Sequence, residues 1–415
     1  MRERIWLWFK RLWRRPGFRI SAFGSVALLV ALIAPLLDRS IPDALVDRFS
    51  REAVLPILNI LASSMLAVTT FSLGIMVQAF RSAAGQATPR VYRLLMQDMT
   101  TLNVMSVFVG AFLFSLASIV MFRAGFYGDS AAVIVFAMTM VCIVLIVIAI
   151  LRWIAHLSQL GSLHHTLTMV EKAAKPPLDR LAKTPNLGAR AASDAPRAPK
   201  DSTPILSPKS GFVQFISLAE LNEQLDSKDA TLWVYTPPGS WVLKDTPVAY
   251  LDGDCDPDTL IDNFTLGDER TVEQDARFGL VILSEVASRA LSPGVNDPGT
   301  AIDVIHRIER ILWDLGQGMS VEDRNTETQY DRVIVGTVSA SDLMHDGFAS
   351  LMQDGGGRFD VMAQMLKAAN RLSKSDWSDL AKAAEETRDT TLGLIERRIE
   401  DPDAVKALHQ KAKET

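Results

Sequence analysis

Apolar and polar positions recur with two different periods along this chain, and the change of period divides it. Through its first 157 residues the apolar runs are long, and four have the length of a bilayer crossing: residues 20–37, 54–80, 102–122 and 131–154. The second run is the informative one. At about 100° per residue, Asn59, Ser63, Ala67, Thr70, Gly74 and Gln78 share an arc of roughly 100°. Val54, Leu58, Leu61, Met65, Val68 and Ile75 point the other way. A helix in hydrocarbon gains nothing by turning Asn or Gln to lipid, so the arc must face protein or water. Asn59, Ser63, Thr70, Gly74 and Gln78 are therefore the expected pore or packing stripe.

From about residue 172 to 210 the composition turns to Pro, Ala, Lys, Arg and Ser, with Pro176-Pro177, Pro185, Pro196, Pro199, Pro204 and Pro208, and residues 158–210 read as a linker, extended or disordered. A period of two then takes over. Residues 211–216, 230–235 and 247–251 are β-rich runs, with a short helix expected over 218–225. Ser210-Gly-Phe-Val and Pro238-Gly-Ser-Trp-Val-Leu-Lys-Asp-Thr-Pro-Val resemble the half-motifs of biotinyl/lipoyl-type barrels. The resemblance implies a small β-barrel-like subdomain over 211–267. It extends to the fold alone, because no lysine sits at a tight-turn tip as in a carrier. The acidic run Asp252-Gly-Asp-Cys-Asp-Pro-Asp fails as a calcium loop, having Pro257 and Asn263 at its sixth and twelfth positions. It reads instead as a turn before a helix start at Asp256-Pro257.

A helical period returns at residue 274, and residues 268–318 form a helix hairpin broken by Ser292-Pro-Gly-Val-Asn-Asp-Pro-Gly299. Asp297 suits an N-cap, Pro298 a first helical turn, and Gly294 a positive φ. Glu285, Arg289, Ser292, Asn296 and Asp297 converge at the mouth of this hairpin as a candidate site. Amides at a helix start can hold an anion, while a rigid capped turn is the plainer reading. Residues 319–415 hold one strand, over 331–338, and are otherwise mainly helical. The expected architecture is thus a four-helix transmembrane domain (residues 20–157) followed by a cytoplasmic α+β region with a small barrel-like and a helical subdomain.

Charge sets the orientation. Residues 1–19 interleave Arg2, Arg4, Lys10, Arg11, Arg14, Arg15 and Arg19 with Trp6, Trp8 and Trp13, a basic amphipathic segment suited to anionic headgroups. Arg81, Arg90 and Arg93 follow the second run and Arg152 closes the fourth, so positive-inside logic puts both termini in the cytoplasm. The net charge of −5 carries no basic surplus for nucleic acid. Two cysteines exclude a disulfide framework. No phosphate-binding loop, zinc-protease helix, nucleophile elbow or paired-cysteine metal site occurs, and His164-His165 point apart on a helix, so neither cofactor nor metal is expected.

Gly267-Asp-Glu-Arg-Thr-Val-Glu-Gln-Asp-Ala-Arg-Phe-Gly279 and Ala290-Leu-Ser-Pro-Gly-Val-Asn-Asp-Pro-Gly-Thr-Ala301 resemble the bacterial predicted membrane proteins of the family DUF2254. Thr88-Pro-Arg-Val-Tyr-Arg-Leu-Leu-Met-Gln-Asp98 and Gly110-Ala-Phe-Leu-Phe114 match its membrane half. The family has no assigned activity, so the resemblance implies the layout alone. Three functions stay open: an oligomeric conduit built on the second run, a non-conducting scaffold or sensor using the hairpin for a partner or anion, and an enzyme using the Asn296-Asp297 loop.

Overall fold

The computed structural model of the chain describes residues 12–13, 16–33, 51–192, 197–320 and 328–413. They form two compact units. An apolar helical unit takes residues 6–85 and 92–165, and an α+β unit takes residues 86–91 and 166–415. The basic amphipathic segment expected over 1–19 falls mostly outside the described residues, as do residues 34–50.

The apolar unit is built from α1 (Pro16–Ile33), α2 (Arg51–Gln86), most of the short α3 (Pro89–Met96), α4 (Met99–Arg123) and α5 (Asp129–Leu157). Among the described residues three helices are long and apolar enough to cross a membrane, over Arg51–Gly85, Met99–Arg123 and Ala131–Leu157. The apolar stretch of α1, Gly17–Ile33, is shorter, and the expected first span of 20–37 runs on into residues outside those described. Helix α4 is the most buried. Its start is capped by Asp98, whose carboxylate accepts from the Thr101 amide at 2.8 Å, and Phe108, Phe114 and Phe122 along it are within 3% of full burial. The Tyr127 hydroxyl donates to the Ala31 carbonyl at 2.5 Å, tying α1 to the turn after α4.

Helix α2 shows one face to this core. Val54 and Leu58 sink into a cluster with Phe114, Phe122 and Ala131, and Met65 into a second with Phe108, Ile146 and Trp153. Leu61, Val68 and Met76 pack against the second cluster. The apolar arc is therefore the side that the chain itself covers.

In the α+β unit, α6 (Leu163–Lys183) occupies much of the stretch expected to be extended. Leu167, Val170, Ala174, Leu178 and Leu181 recur at helical spacing and are buried. Pro176 and Pro177 lie inside the helix, so two backbone donors are missing there, and buried apolar contacts hold it all the same. The strands are β1 (Ala189–Ala191), β2 (Thr203–Leu206), β3 (Gly211–Ile216), β4 (Thr231–Val234), β5 (Trp241–Val242), β6 (Pro247–Asp252), β7 (Phe264–Gly267) and β8 (Tyr330–Val335). Helix α7 (Leu218–Asp226) falls where the short helix was expected, and α8 (Pro257–Ile261) is capped by Asp256. Residues 211–267 do not close a barrel. Their strands divide between a five-stranded sheet of order β1-β8-β4-β6-β2 and a three-stranded sheet of order β5-β3-β7. The reason is a distant partner: β8 pairs parallel with both β4 and β1, taking the edge that closure would need. Ile205, Val213, Leu225, Leu232, Val248 and Val333 share one core.

The rest is helical: α9 (Phe278–Leu291), α10 (Pro298–Ser320), α11 (Ala340–Gly355), α12 (Phe359–Leu372), α13 (Ser378–Arg398) and α14 (Pro402–Lys411). Ser339 and Asp342 form a reciprocal capping box on α11. Arg307 of α10, only 4% exposed, donates to Glu171 of α6 at 2.7 Å and to Asp303 at 3.1 Å. That buried pair sets the approach of α6 to α10.

Candidate functional site

Helix α9 begins four residues later than periodicity suggests, because residues 270–277 are used to fasten it. Gln274 meets the backbone of Ile216 as another strand would, accepting from its amide at 2.8 Å and donating to its carbonyl at 3.0 Å. Asp275, 2% exposed, accepts from the amides of Arg277 and Phe278 at 3.0 and 3.1 Å and holds Arg270 through both carboxylate oxygens. Burial pushes the Asp275 carboxyl up against the pull of Arg270 and the two amides. Gly239 makes room for this pair. Its φ is 95°, and a Cβ there would stand 2.2 Å from Asp275 Oδ2. Arg277 grips Asp346 of α11 from the other side, at 2.5 and 3.1 Å. The run 267–279 is thus a fastening between the three-stranded sheet and the helices.

At the far end of α9 the hairpin loop is held by its own backbone. Asp297 donates its amide to Ala290 at 2.8 Å, and Asn296 its amide to Ser292 at 2.9 Å. The left-handed residue is Asn296, at φ 53°, and not Gly294. Asn takes that conformation more readily than most residues, so the loop places its turn two residues later than composition suggests. Asp297 caps α10, accepting from the Thr300 amide at 3.1 Å and from its hydroxyl at 2.6 Å. Those two bonds hold its carboxyl below the usual range. Asp297→Ala is expected to cost about 1 kcal/mol, a loss of about 3 °C in the thermal midpoint of the α+β unit, measurable by circular dichroism in detergent. No change there would mean that the cap is redundant.

Of the five hairpin residues, the structure brings Glu285, Arg289 and Ser292 to one open cleft of about 500 Å³, together with Ser288, Pro293, Ser350 and Asp354. Asn296 is taken by Arg358, and Asp297 by its cap. Ser288 donates to Asp354, and Arg90 pairs with one oxygen of Glu285. The other oxygen, Oε2, is buried without a hydrogen-bond partner among the described residues. The Arg289 side chain is exposed. With two carboxylates in the cleft and the Thr300 amide already filled by Asp297, the hairpin mouth is poorly arranged for an anion. Ser288 with Asp354 has no imidazole between them, so no activated nucleophile is formed. No group of three or more metal-ligating side chains occurs among the described residues. Ser350 and Asp354 carried no sequence signal and Arg90 read only as an orienting charge, since each comes from an element remote in the chain.

The stripe on α2 has a definite position. Asn59, Ser63, Ala67, Thr70, Gly74 and Gln78 are all exposed, opposite the face that carries Val54, Leu58 and Met65. Ser63 and Thr70 donate to the carbonyls of Asn59 and Leu66, each at 2.9 Å. The amides of Asn59 and Gln78 make no hydrogen bond among the described residues. Ile60 and Phe71, 64% and 71% exposed, flank the stripe on one side and Leu66 and Leu73 on the other.

A second polar group in this unit was not anticipated. His156, in the last turn of α5, places Nε2 2.9 Å from Asp98 Oδ2 and 3.2 Å from the Thr101 hydroxyl. Burial raises the Asp98 carboxyl, but bonds from His156 and Thr101 and the His156 charge outweigh it and bring it down to about 2. His165 lies edge-on to His156 with ring centres 5.7 Å apart, while His164 is exposed.

Comparison with known proteins agrees with this layout. The family model described as "Predicted membrane protein (DUF2254)" matches residues 10–371. An uncharacterized protein of Mycobacterium bovis is 25% identical over 313 residues, covering 72% of this chain and 59% of its own length. An uncharacterized protein of Mycobacterium tuberculosis matches to the same extent. The chain thus spans about three fifths of the length of these curated relatives. No solved structure matches the chain.

Proposed function

The chain belongs to the DUF2254 family of predicted membrane proteins, and on that footing we propose that it is an oligomeric conduit in which α2 lines the path. The observation that carries this is the outward stripe. An amide left in hydrocarbon without a partner costs several kcal/mol. Asn59 and Gln78 have no partner among the described residues, so on this reading water or a neighbouring copy supplies it. The stripe holds no charged side chain, so the path is not strongly charge-selective. The α+β unit serves as the assembly or gating domain. The topology follows the arginines at 81, 90, 93 and 152: both termini cytoplasmic, in a bacterial inner membrane, with residues 20–37 as a first of four spans.

One observation favours a second reading, a non-conducting scaffold. Ser63 and Thr70 satisfy their hydroxyls on their own helix, and small residues let helices pack closely without water. Cysteine scanning in intact membranes separates the two. On the conduit reading, cysteines at Asn59, Ser63, Thr70 and Gln78 react with small charged thiol reagents while those at Leu58, Leu61, Val68 and Ile75 stay silent. Thr70→Leu also lowers the current of reconstituted protein. A stripe as unreactive as the apolar face rules out the water path and leaves the scaffold.

A further inference from the structure

Asp98, Thr101, His156 and His165 bring the start of α4, the end of α5 and the start of α6 to one point. We infer that this group is a buried proton-binding site whose occupancy sets how tightly α5 holds α2. The side chains of His156 and Asp98 are only 9% and 14% exposed, so the pair is shielded from the water and salt that weaken surface pairs. Asp98 serves two roles at once, as the N-cap of α4 and as the partner of His156. The groups facing His156 are Asp98 and Thr101 from α4, Trp153 from its own helix, and His165 from α6. One of these is anionic and one is a second imidazole.

The route to α2 is short. Trp153, one turn before His156, belongs to the cluster that buries Met65, and Leu61, Val68 and Met76 of α2 pack on it together with Leu157 and Leu160. Gly161 lies against Ala79 of α2. With His156 protonated, an imidazolium faces a carboxylate and the end of α5 is pinned to the cap of α4. Loss of the proton leaves a neutral imidazole donating to the Asp98 carboxylate, without the attraction between two opposite charges in a shielded site, and the Trp153 side of the α2 seam loosens. Imidazoles are the side chains that change charge between about pH 5 and pH 8. The inference concerns the seam behind the proposed conduit but reads only packing, so a protein that never conducts tests it equally well.

The test uses the full chain in lipid vesicles, with Cys142→Ala and Cys255→Ala and a single reporter, Met76→Cys. Its reaction with a small neutral thiol reagent is compared with that of the exposed control Leu73→Cys, so that the rise in thiolate with pH cancels. The expected result is a ratio several-fold higher at about pH 8 than at about pH 6. His156→Gln holds the ratio at the high value at both pH values. Asp98→Asn, which keeps the cap to Thr101 and removes the charge, does the same. Circular dichroism confirms that each variant is folded. A ratio independent of pH in the otherwise unchanged protein overturns the inference. So does a pH response that survives His156→Gln, whether or not His165→Gln abolishes it.

Discussion

Replacing Asp275 by Ala is expected to lower the unfolding midpoint of the α+β unit by roughly 10 °C. The figure follows from about 3–5 kcal/mol for removing one member of a buried ion pair, at about 2–4 °C per kcal/mol for a unit of this size. Three losses combine. The amides of Arg277 and Phe278 lose their acceptor at the start of α9, and the Arg270 guanidinium keeps its charge with no carboxylate against it. The space beside Gly239 opens as well. Because burial drives the Asp275 carboxyl up even with Arg270 beside it, the pair adds little net stability over an apolar replacement of both partners. Its work is to fix where the three-stranded sheet meets α9. Asp275→Asn, which still accepts from the amides, should therefore lose less than Ala, and Arg270→Met combined with Asp275→Leu should recover much of the loss. Thermal circular dichroism in detergent reads all three; a fall of under 3 °C for the Ala variant would mean that the fastening lies elsewhere.

The second large effect is expected at Gly279, where α9 crosses α6. A Cβ there would stand 2.2 Å from the Ala174 Cβ and 2.8 Å from its Cα, a collision with backbone that no rotamer relieves. Replacing a helical Gly by Ala ordinarily gains about 1 kcal/mol of propensity, while overpacking costs about 1–3 kcal/mol or more. At backbone contact the second term wins. Gly279→Ala is expected to destabilise the α+β unit, and Gly279→Val to lower its midpoint by about 10 °C. Ala174→Gly should recover part of the Gly279→Ala loss, since it removes the nearer of the two clashing atoms. Additive effects of the two changes in a double-mutant cycle would show that the helices do not meet here.

Both positions lie in the run 267–279, whose residue types were legible as a family resemblance long before their work was. Nothing in Gly279 announces a crossing with Ala174, because the partner is more than a hundred residues away in the chain. Helix α6 itself was hidden by Pro176-Pro177, although Leu167, Val170, Ala174, Leu178 and Leu181 carry a helical period. Local composition outweighed periodicity in that stretch, and tertiary burial decided the other way. The barrel-like expectation went astray for a related reason. Strands 211–216, 231–234 and 247–252 were each legible, but the parallel pairing of β4 with Tyr330–Val335 was not, and that pairing opens the structure into two sheets.

What the sequence determined by itself is everything that repeats along one element. The long apolar helices, the alternating strands, the cap at Asp297 and the polar arc of α2 all arise from a residue and its neighbours within a turn or two, where the backbone period dictates which side chains share a face. Only the tertiary structure decided which face was used. It turned Val54, Leu58 and Met65 inward and left Asn59 and Gln78 outside. It joined Asp98 to His156 and Arg90 to Glu285, and it gave the left-handed turn to Asn296 in place of Gly294. Those choices depend on shape and charge meeting across tens to hundreds of residues, and a local period carries no record of its distant partner.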